Sequence, residues 1–384
     1  MAGEAKDVKK RLLFLVNVDW FFLSHRLPIA IAARNQGYEV HIATSITDKL
    51  EELKSHGLVV HPLAIWRSRV GLISETRTFW EILAVFKNVR PQIVHLVTIK
   101  PVILGGIAAR LTGVPGVVAA ISGLGFVFIA KGAKAAIVRA LVAGLYRLAL
   151  GKKNLRIILQ NTHNRSLLLA RKAVKPEKVV MIRGSGVDLS IYQKTPEPDG
   201  LPVVTLAARL LRDKGVCEFV EAARLLAKQQ VRARFWLAGD PDPGNPHSIS
   251  QSQIDAWRRE GSVELLGFRK DIEKLFAASQ VIVLPSYYGE GLPKVLIEAA
   301  ACGRAVVTTD HPGCRDAIEP GHTGMLVPAG DAVALAAAIL HLLEDNKLRQ
   351  SMGNAGRQLA EREFAIEKIV TAHLAVYQDL ARFI

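Results

Sequence analysis

Thirteen short apolar runs, separated by helix-like stretches, limit what this chain can become. Seven stand in the first half: RLLFLVN (11–17), YEVHIAT (38–44), VVHPL (59–63), QIVHLVT (92–98), GVVAAI (116–121), RIILQN (156–161) and KVVMI (178–182). Six follow: LPVVTLAARL (201–210), ARFWLAG (233–239), SVELLG (262–267), QVIVLPS (280–286), RAVVTT (304–309) and GMLVP (324–328). Runs with so little polar alternation suit strands covered on both faces, and such strands alternate with helices in parallel, doubly wound sheets. The stretch LPIAIAARNQG, for example, closes on a glycine as a helix does. The segment QKTPEPDGLP (193–202) carries three prolines and reads as a linker. The pattern therefore predicts an N-terminal Rossmann-like domain over 1–192 and a second over 201–365. A terminal helix over 366–384, the end of a helical pattern that starts near 334, is long enough to cross back to the first.

A length of 384 residues suits two domains of this kind, and 50% hydrophobic with 22% charged residues suits a packed chain. Cys217, Cys302 and Cys314 are odd in number and lack metal-ligand spacing, so they read as thiols in a reducing compartment. RLLFLVN meets Asp19 almost at once with no small-residue cleavage site, so it reads as a first strand and not as an export signal. Residues 111–130 carry no charge, yet four glycines, a proline and the core VPGVVAAI favour a buried strand and its loop over a membrane span.

Net charge is +15, and its distribution is uneven. From Leu83 to Lys175 there are fifteen Lys and Arg and no Asp or Glu, which leaves 35 basic against 35 acidic residues elsewhere. Such a block calls for an anionic partner. Nucleic acid fits poorly, because no reader motif and few aromatics accompany the charges. An anionic membrane surface fits better: KGAKAAIVRALVAGLYRLALGKKN (131–154) reads as a basic helix too short to span, with Lys131, Lys134, Lys152 and Lys153 toward one side. Arg147 lies off that face, so a helix packed on its own domain stays open as the alternative.

Ligands of open α/β sheets bind beyond the carboxyl ends of the strands. After the eighth run, RLLRDKG places Arg209 and Lys214 at a strand end and a helix start, a site for a diphosphate. After the eleventh, YYGEGLPK brings Glu290 in a glycine-flanked loop, with Glu298 eight positions on in the following helix. Two carboxylates so placed suit a polyhydroxylated ligand. The structural alternative is an ordinary loop acid and an ordinary helix acid. Asp240 and Asp242 in GDPDPG form a D-x-D pair, which is weak evidence of a metal in a proline-rich turn.

EGLPKVLIEAAACGRAVVTTDHPGCRD resembles the E-x7-E signature of family 4 retaining glycosyltransferases, AARLLRDKGV their phosphate-binding segment, and DAIEPGHTGMLVPAGD their usual continuation. The resemblance implies the GT-B fold, two Rossmann-like doubly wound parallel-sheet domains facing a cleft. FFLSHRLPIAIAARNQGYEVHIAT and IRGSGVDLSIY look more particularly like the bacterial branch that extends undecaprenyl diphosphate-linked sugars. The family implies that Arg209 and Lys214 hold the donor diphosphate, Glu298 the ribose and Glu290 the transferred sugar. It gives the backbone amides of Gly291 and Leu292 to the sugar or phosphates, and sets Phe268 and Arg269 beside the base. It implies a nucleotide-sugar donor (a UDP-sugar in this branch), a lipid-linked saccharide acceptor, no cofactor and no metal. The enzyme is then expected in the cytoplasm, peripheral on the inner face of the cytoplasmic membrane.

The first half departs from the family pattern. NVDWFFLSH lacks the family's Gly-Gly, and Ser122 stands where many members carry histidine. His25, Arg26, Lys100 and Ser122 are the acceptor-side candidates, while His95 reads as packed inside. Three other readings remain: a nucleotide-sugar epimerase of the same fold, a glycosyltransferase with a soluble acceptor, and a non-enzymatic binder of lipid or polyanion. The last does not account for Arg209, Lys214 and the two glutamates together.

Overall fold

A computed structural model of the chain describes residues 10–65, 71–121, 123, 142, 144–171, 173–287, 289 and 291–384. All thirteen apolar runs are strands, and every strand pairing is parallel. The first sheet contains β1 (Arg11–Val18), β2 (Glu39–Ser45), β3 (Val59–Pro62), β4 (Ile93–Val97), β5 (Gly116–Ile121), β6 (Leu155–Leu159) and β7 (Val179–Met181), in the order β3-β2-β1-β4-β5-β6-β7. The second contains β8 (Val203–Ala207), β9 (Arg234–Ala238), β10 (Glu264–Gly267), β11 (Val281–Leu284), β12 (Ala305–Thr309) and β13 (Gly324–Val327), in the order β10-β9-β8-β11-β12-β13.

β1 shows why these runs lack alternation. Leu12 through Val16 expose no surface. Leu13 and Leu15 join a core with Val94 and Val102 on one side of the sheet, and Leu12, Phe14 and Val16 join another with Ile29 and Val376 on the other. Helices cover both faces, so a polar residue on either would be buried without a partner.

The chain divides into two compact units, one of residues up to Ile182 together with Ile369–Ile384, the other Arg183–Lys368. The division falls about ten residues earlier than the proline-rich segment. That segment is fastened to the second unit: Arg304, 1% exposed, donates to the carbonyls of Thr195 and Pro196 and to Thr195 Oγ1, and Arg349 pairs with Glu197 at 2.7 Å. The same Arg304 also serves the carbonyls of Phe276 and Ala277, so a buried charge is satisfied by backbone at several points.

The long C-terminal helical pattern is broken. It forms Ala332–Glu344, Asn346–Leu359, a wide turn Ala360–Phe364 and Ile366–Ala381. The Asp345 side chain restarts the second segment by accepting from Leu348 N at 2.9 Å. At Ala365 the backbone leaves the helix to bridge Val187, with Val187 N to Phe364 O at 2.9 Å and Ile366 N to Val187 O at 3.0 Å. The last helix packs within the first unit, where Tyr377 Oη lies 2.6 Å from His95 Nδ1 and the His373 and His95 rings stack at 5.7 Å.

The basic helix is shorter than its sequence pattern. Its described part ends at residue 150, and 151–154 form a loop into β6. Lys152 is half-buried with Nζ donating to the Val114 carbonyl, and burial first, then the Arg110 charge, lowers its pKa. Its ammonium is thus engaged by the protein's own backbone, whereas Lys153 is exposed. Lys131 and Lys134 lie outside the described residues. Among the described residues no helix is long and apolar enough to cross a membrane.

Candidate functional site

Strands β8 and β11 are neighbours in the second sheet although far apart in sequence, and the connections leave them on opposite sides of that seam. Crevices open at such a switch point beyond the carboxyl ends. From β8 the chain enters a single turn, Arg212–Lys214, and then the helix Val216–Lys228. Gly215 joins them with φ 75°, and a Cβ there would stand 2.3 Å from the Pro285 carbonyl oxygen just past β11. Only glycine permits that conformation and that approach. The two loops are also bonded, Tyr287 N to Asp213 O at 3.0 Å and Ser286 Oγ to Asp213 O at 3.1 Å. β12 joins through Thr309 Oγ1, which donates to the Ser286 carbonyl.

Arg209 is close enough to Lys214 for its charge to act on the lysine. Burial first, and Arg209 second, bring the Lys214 ammonium down to about 8. A second anion-seeking charge held beside it explains why this lysine would gain from a diphosphate. Arg209 Nη1 donates to Asp242 Oδ2 at 2.6 Å, so one acid of the D-x-D pair holds the arginine. Among the described residues no group of three His, Cys, Asp or Glu side chains is placed to hold a metal ion.

Glu298 belongs to the helix Lys294–Ala301, entered through Pro293, and is 7% exposed. Its Oε1 accepts from Tyr192 Oη at 2.8 Å and pairs with Lys294 Nζ at 3.1 Å. Neither partner was singled out from the sequence. Lys294 stands one turn ahead of Glu298, a spacing that could have shown it. Tyr192 is 106 positions away, and nothing local marks it. Gly291 and Leu292, at the mouth of this helix, are buried. Glu290 lies outside the described residues.

At the far edge, Phe268 directly follows β10 and is 66% exposed, a bare aromatic face at a strand end. Arg269 turns to Asp271, with Nε at 2.8 Å and Nη2 at 2.6 Å from its two oxygens. β9 supplies the loop between these and Arg209. Gly239 there has φ 137°, and a Cβ would fall 1.8 Å from the Ala208 carbonyl oxygen.

In the first unit the acceptor-side candidates separate. His25 is partly exposed, stacked on Phe21 at 4.1 Å with Nδ1 2.5 Å from Ser24 Oγ. Lys100 Nζ pairs with Glu75 Oε1 at 2.6 Å. Arg26 corrects the sequence reading: it is 1% exposed, donates to the His25 carbonyl and lies among Tyr377, His95 and His373. The returning C-terminal helix covers it, so it does not reach a ligand at the surface. Ser122 lies outside the described residues.

Residues 189–359 match the family described as "Glycosyl transferases group 1", and residues 11–161 match "Glycosyl transferase 4-like". The chain is 30% identical over 358 residues, 88% of its length and 92% of the relative's, to N,N'-diacetylbacillosaminyl-diphospho-undecaprenol alpha-1,3-N-acetylgalactosaminyltransferase of Campylobacter jejuni. It is 26% identical, over 81% of each chain, to the UDP-Gal:alpha-D-GlcNAc-diphosphoundecaprenol alpha-1,3-galactosyltransferase of Escherichia coli. Among solved structures, sucrose-phosphate synthase from Thermosynechococcus elongatus superposes with TM-score 0.79 at 21% identity, covering 97% of this chain and 100% of that one. HepE from Anabaena in complex with UDP and glucose gives 0.76 at 20%, covering 96% and 99%. The fold is GT-B, and the chain belongs to the glycosyltransferases that join a 4-like domain to a group 1 domain.

Proposed function

We propose that this glycosyltransferase is a retaining family 4 enzyme. It moves a hexose or N-acetylhexosamine from a UDP-sugar to a saccharide carried on undecaprenyl diphosphate, in O-antigen, capsule, exopolysaccharide or glycoprotein glycan synthesis. The observation that carries the reading is the β8–β11 seam, where the segment that carries Arg209 and Lys214 is bonded through Asp213 to the loop that leads into the Glu298 helix. The acceptor class rests on the two relatives above, both named for diphosphoundecaprenol-linked acceptors. UDP rests on the second of them and on the ligand of the Anabaena structure.

In this reading Arg209, Lys214 and the amides at the start of the Val216–Lys228 helix take the charge that develops on the departing diphosphate, in place of a metal ion. The bond from the sugar's anomeric carbon to the diphosphate breaks as an acceptor hydroxyl attacks from the same face, and its proton passes to the leaving phosphate oxygen. Glu290 and the Gly291 and Leu292 amides hold the sugar, Glu298 the ribose, and Phe268 with Arg269 the base. His25 and Lys100 are the acceptor-side candidates that keep exposure, and Ser122 remains one from the sequence alone. The basic segment from 83 to 175 would bring the enzyme to the inner face of the cytoplasmic membrane, where the acceptor resides.

The test supplies UDP-sugars with and without a polyprenyl diphosphate-linked saccharide and follows UDP release and the anomeric configuration of the product by NMR. Acceptor-dependent release with retained configuration supports the reading. Interconversion of the donor sugar without acceptor would favour the epimerase, and inversion would remove the enzyme from the retaining class.

A further inference from the structure

A buried carboxylate is costly unless donors meet it, and a helix interior offers it none from its own backbone. Glu298 is 7% exposed, and both donors that meet it fall on one oxygen, Oε1: the Tyr192 hydroxyl at 2.8 Å and Lys294 Nζ at 3.1 Å. Oε2 accepts no hydrogen bond from the described residues. The asymmetry is informative. Donors shared between both oxygens would occupy both, whereas two donors on one oxygen hold the carboxylate and leave the second oxygen for another partner.

The frame around Tyr192 is built to keep it there. Arg357 Nη1, on the helix Asn346–Leu359, donates to the Tyr192 carbonyl at 2.9 Å and to the Ala301 carbonyl at 2.8 Å. Ala301 is the last residue of the helix that bears Glu298, so one guanidinium clamps the tyrosine backbone to the glutamate's own helix. Tyr192 N also bonds Asp188 O at 2.9 Å, which closes the turn that presents the ring. Burial first, then the Glu298 charge, raise the phenol pKa, so the hydroxyl remains a donor throughout the working range.

We propose that Tyr192, assisted by Lys294, is a positioning residue that pins Glu298 Oε1 and so aims Oε2 at the ribose hydroxyls of the nucleotide donor. This rests on the proposed ribose role of Glu298 and extends it to a residue from the segment that precedes the group 1 strands. Tyr192 itself need not touch the ligand.

The test compares Tyr192→Phe, Glu298→Gln and the double variant, each as the full chain. Affinities for uridine diphosphate and its 2′,3′-dideoxy analogue are measured by calorimetry, with the thermal midpoint of the ligand-free protein as a check on folding. Wild type should prefer the ribonucleotide, and Tyr192→Phe should reduce that preference roughly fivefold to tenfold, less than the loss of a whole hydrogen bond to a charged group, because Glu298 remains and only its aim is loosened. The dideoxy affinity should stay within about twofold, and the double variant should be no worse than Glu298→Gln, because both changes act through one carboxylate. If Glu298→Gln lowers the ribose preference while Tyr192→Phe does not, or if the two effects add, the positioning role is wrong and the ribose role stands. Equal binding of both nucleotides by wild type would overturn the ribose role and this inference with it. A drop in both affinities by the same factor in Tyr192→Phe would show a structural residue only.

Discussion

Acidification should loosen the C-terminal helix from the first unit before it disturbs the rest of the protein. His373 and His95 are 1% and 0% exposed, stacked at 5.7 Å, and neighbour the equally buried cation Arg26. Burial first, and then neighbouring charge, bring His373 down to about 3 and hold His95 well below its usual range. Both are neutral in the fold, while in the unfolded chain each titrates near 6.5. The folded pKa is the lower one, so the stabilisation is complete above about 6.5 and is lost as pH falls from there toward the folded values. Between pH 7.5 and 5.5 the unfolded state gains nearly one proton per histidine and the folded state almost none, a loss of about 1.4 kcal/mol for His373 and about 3 kcal/mol for the pair. Over that range most carboxylates remain ionised, so the histidines dominate the change. Amide hydrogen exchange read by mass spectrometry, corrected for the intrinsic effect of pH, reports the opening free energy of Ile366–Ala381. It should fall by that amount in wild type and by about half as much in His373→Leu, which keeps the helix packed and removes one titration. An opening energy independent of pH, or the same slope in the variant, would refute the reasoning.

Three further outcomes are expected. Nucleoside diphosphate affinity should weaken as pH rises past about 8, because Lys214 must be protonated to meet the phosphates; since the residue keeps partial exposure the midpoint should lie at or above 8, and Lys214→Arg should flatten the profile measured by calorimetry. Gly239→Ala should destabilise the second unit by at least about 1 kcal/mol in urea unfolding, because φ 137° and the Ala208 carbonyl both exclude a Cβ. Charge reversal of Lys131, Lys134 and Lys153 should weaken sedimentation with anionic liposomes, each lysine near the surface being worth up to about 1 kcal/mol, and should slow transfer to a long-chain lipid acceptor more than to a short soluble one; Lys152→Glu should instead cost stability through its bond to Val114.

How much of this was legible in the sequence depended on how local its cause was. The strands could be read because a doubly covered strand needs apolar residues at every position, as in Leu12 through Val16, and the turns that end them need glycine or proline. Arg209 and Lys214 could be placed at a strand end for the same reason. What depended on distant chain segments could not be read. Arg26 reads from the sequence as an acceptor-side candidate at the start of the first helix, and it becomes buried only when His373 and Tyr377 return on the last helix. The Tyr192 hydroxyl reaches a carboxylate 106 residues away, and Asp242 takes Arg209 from 33 residues away. The basic helix was overextended because its lysine-rich end continues the charge pattern after the backbone has already turned into the loop before β6.

The central claim is that the second unit holds a nucleotide-sugar through Lys214 and Glu298, and calorimetric titration of uridine diphosphate into wild type, Lys214→Ala and Glu298→Ala tests it most directly. Each substitution removes one charged hydrogen bond to the ligand, worth about 1.5 to 3 kcal/mol, so each Kd should rise roughly tenfold to a hundredfold while the ligand-free proteins keep cooperative unfolding. Affinities equal to wild type in both folded variants would contradict the account.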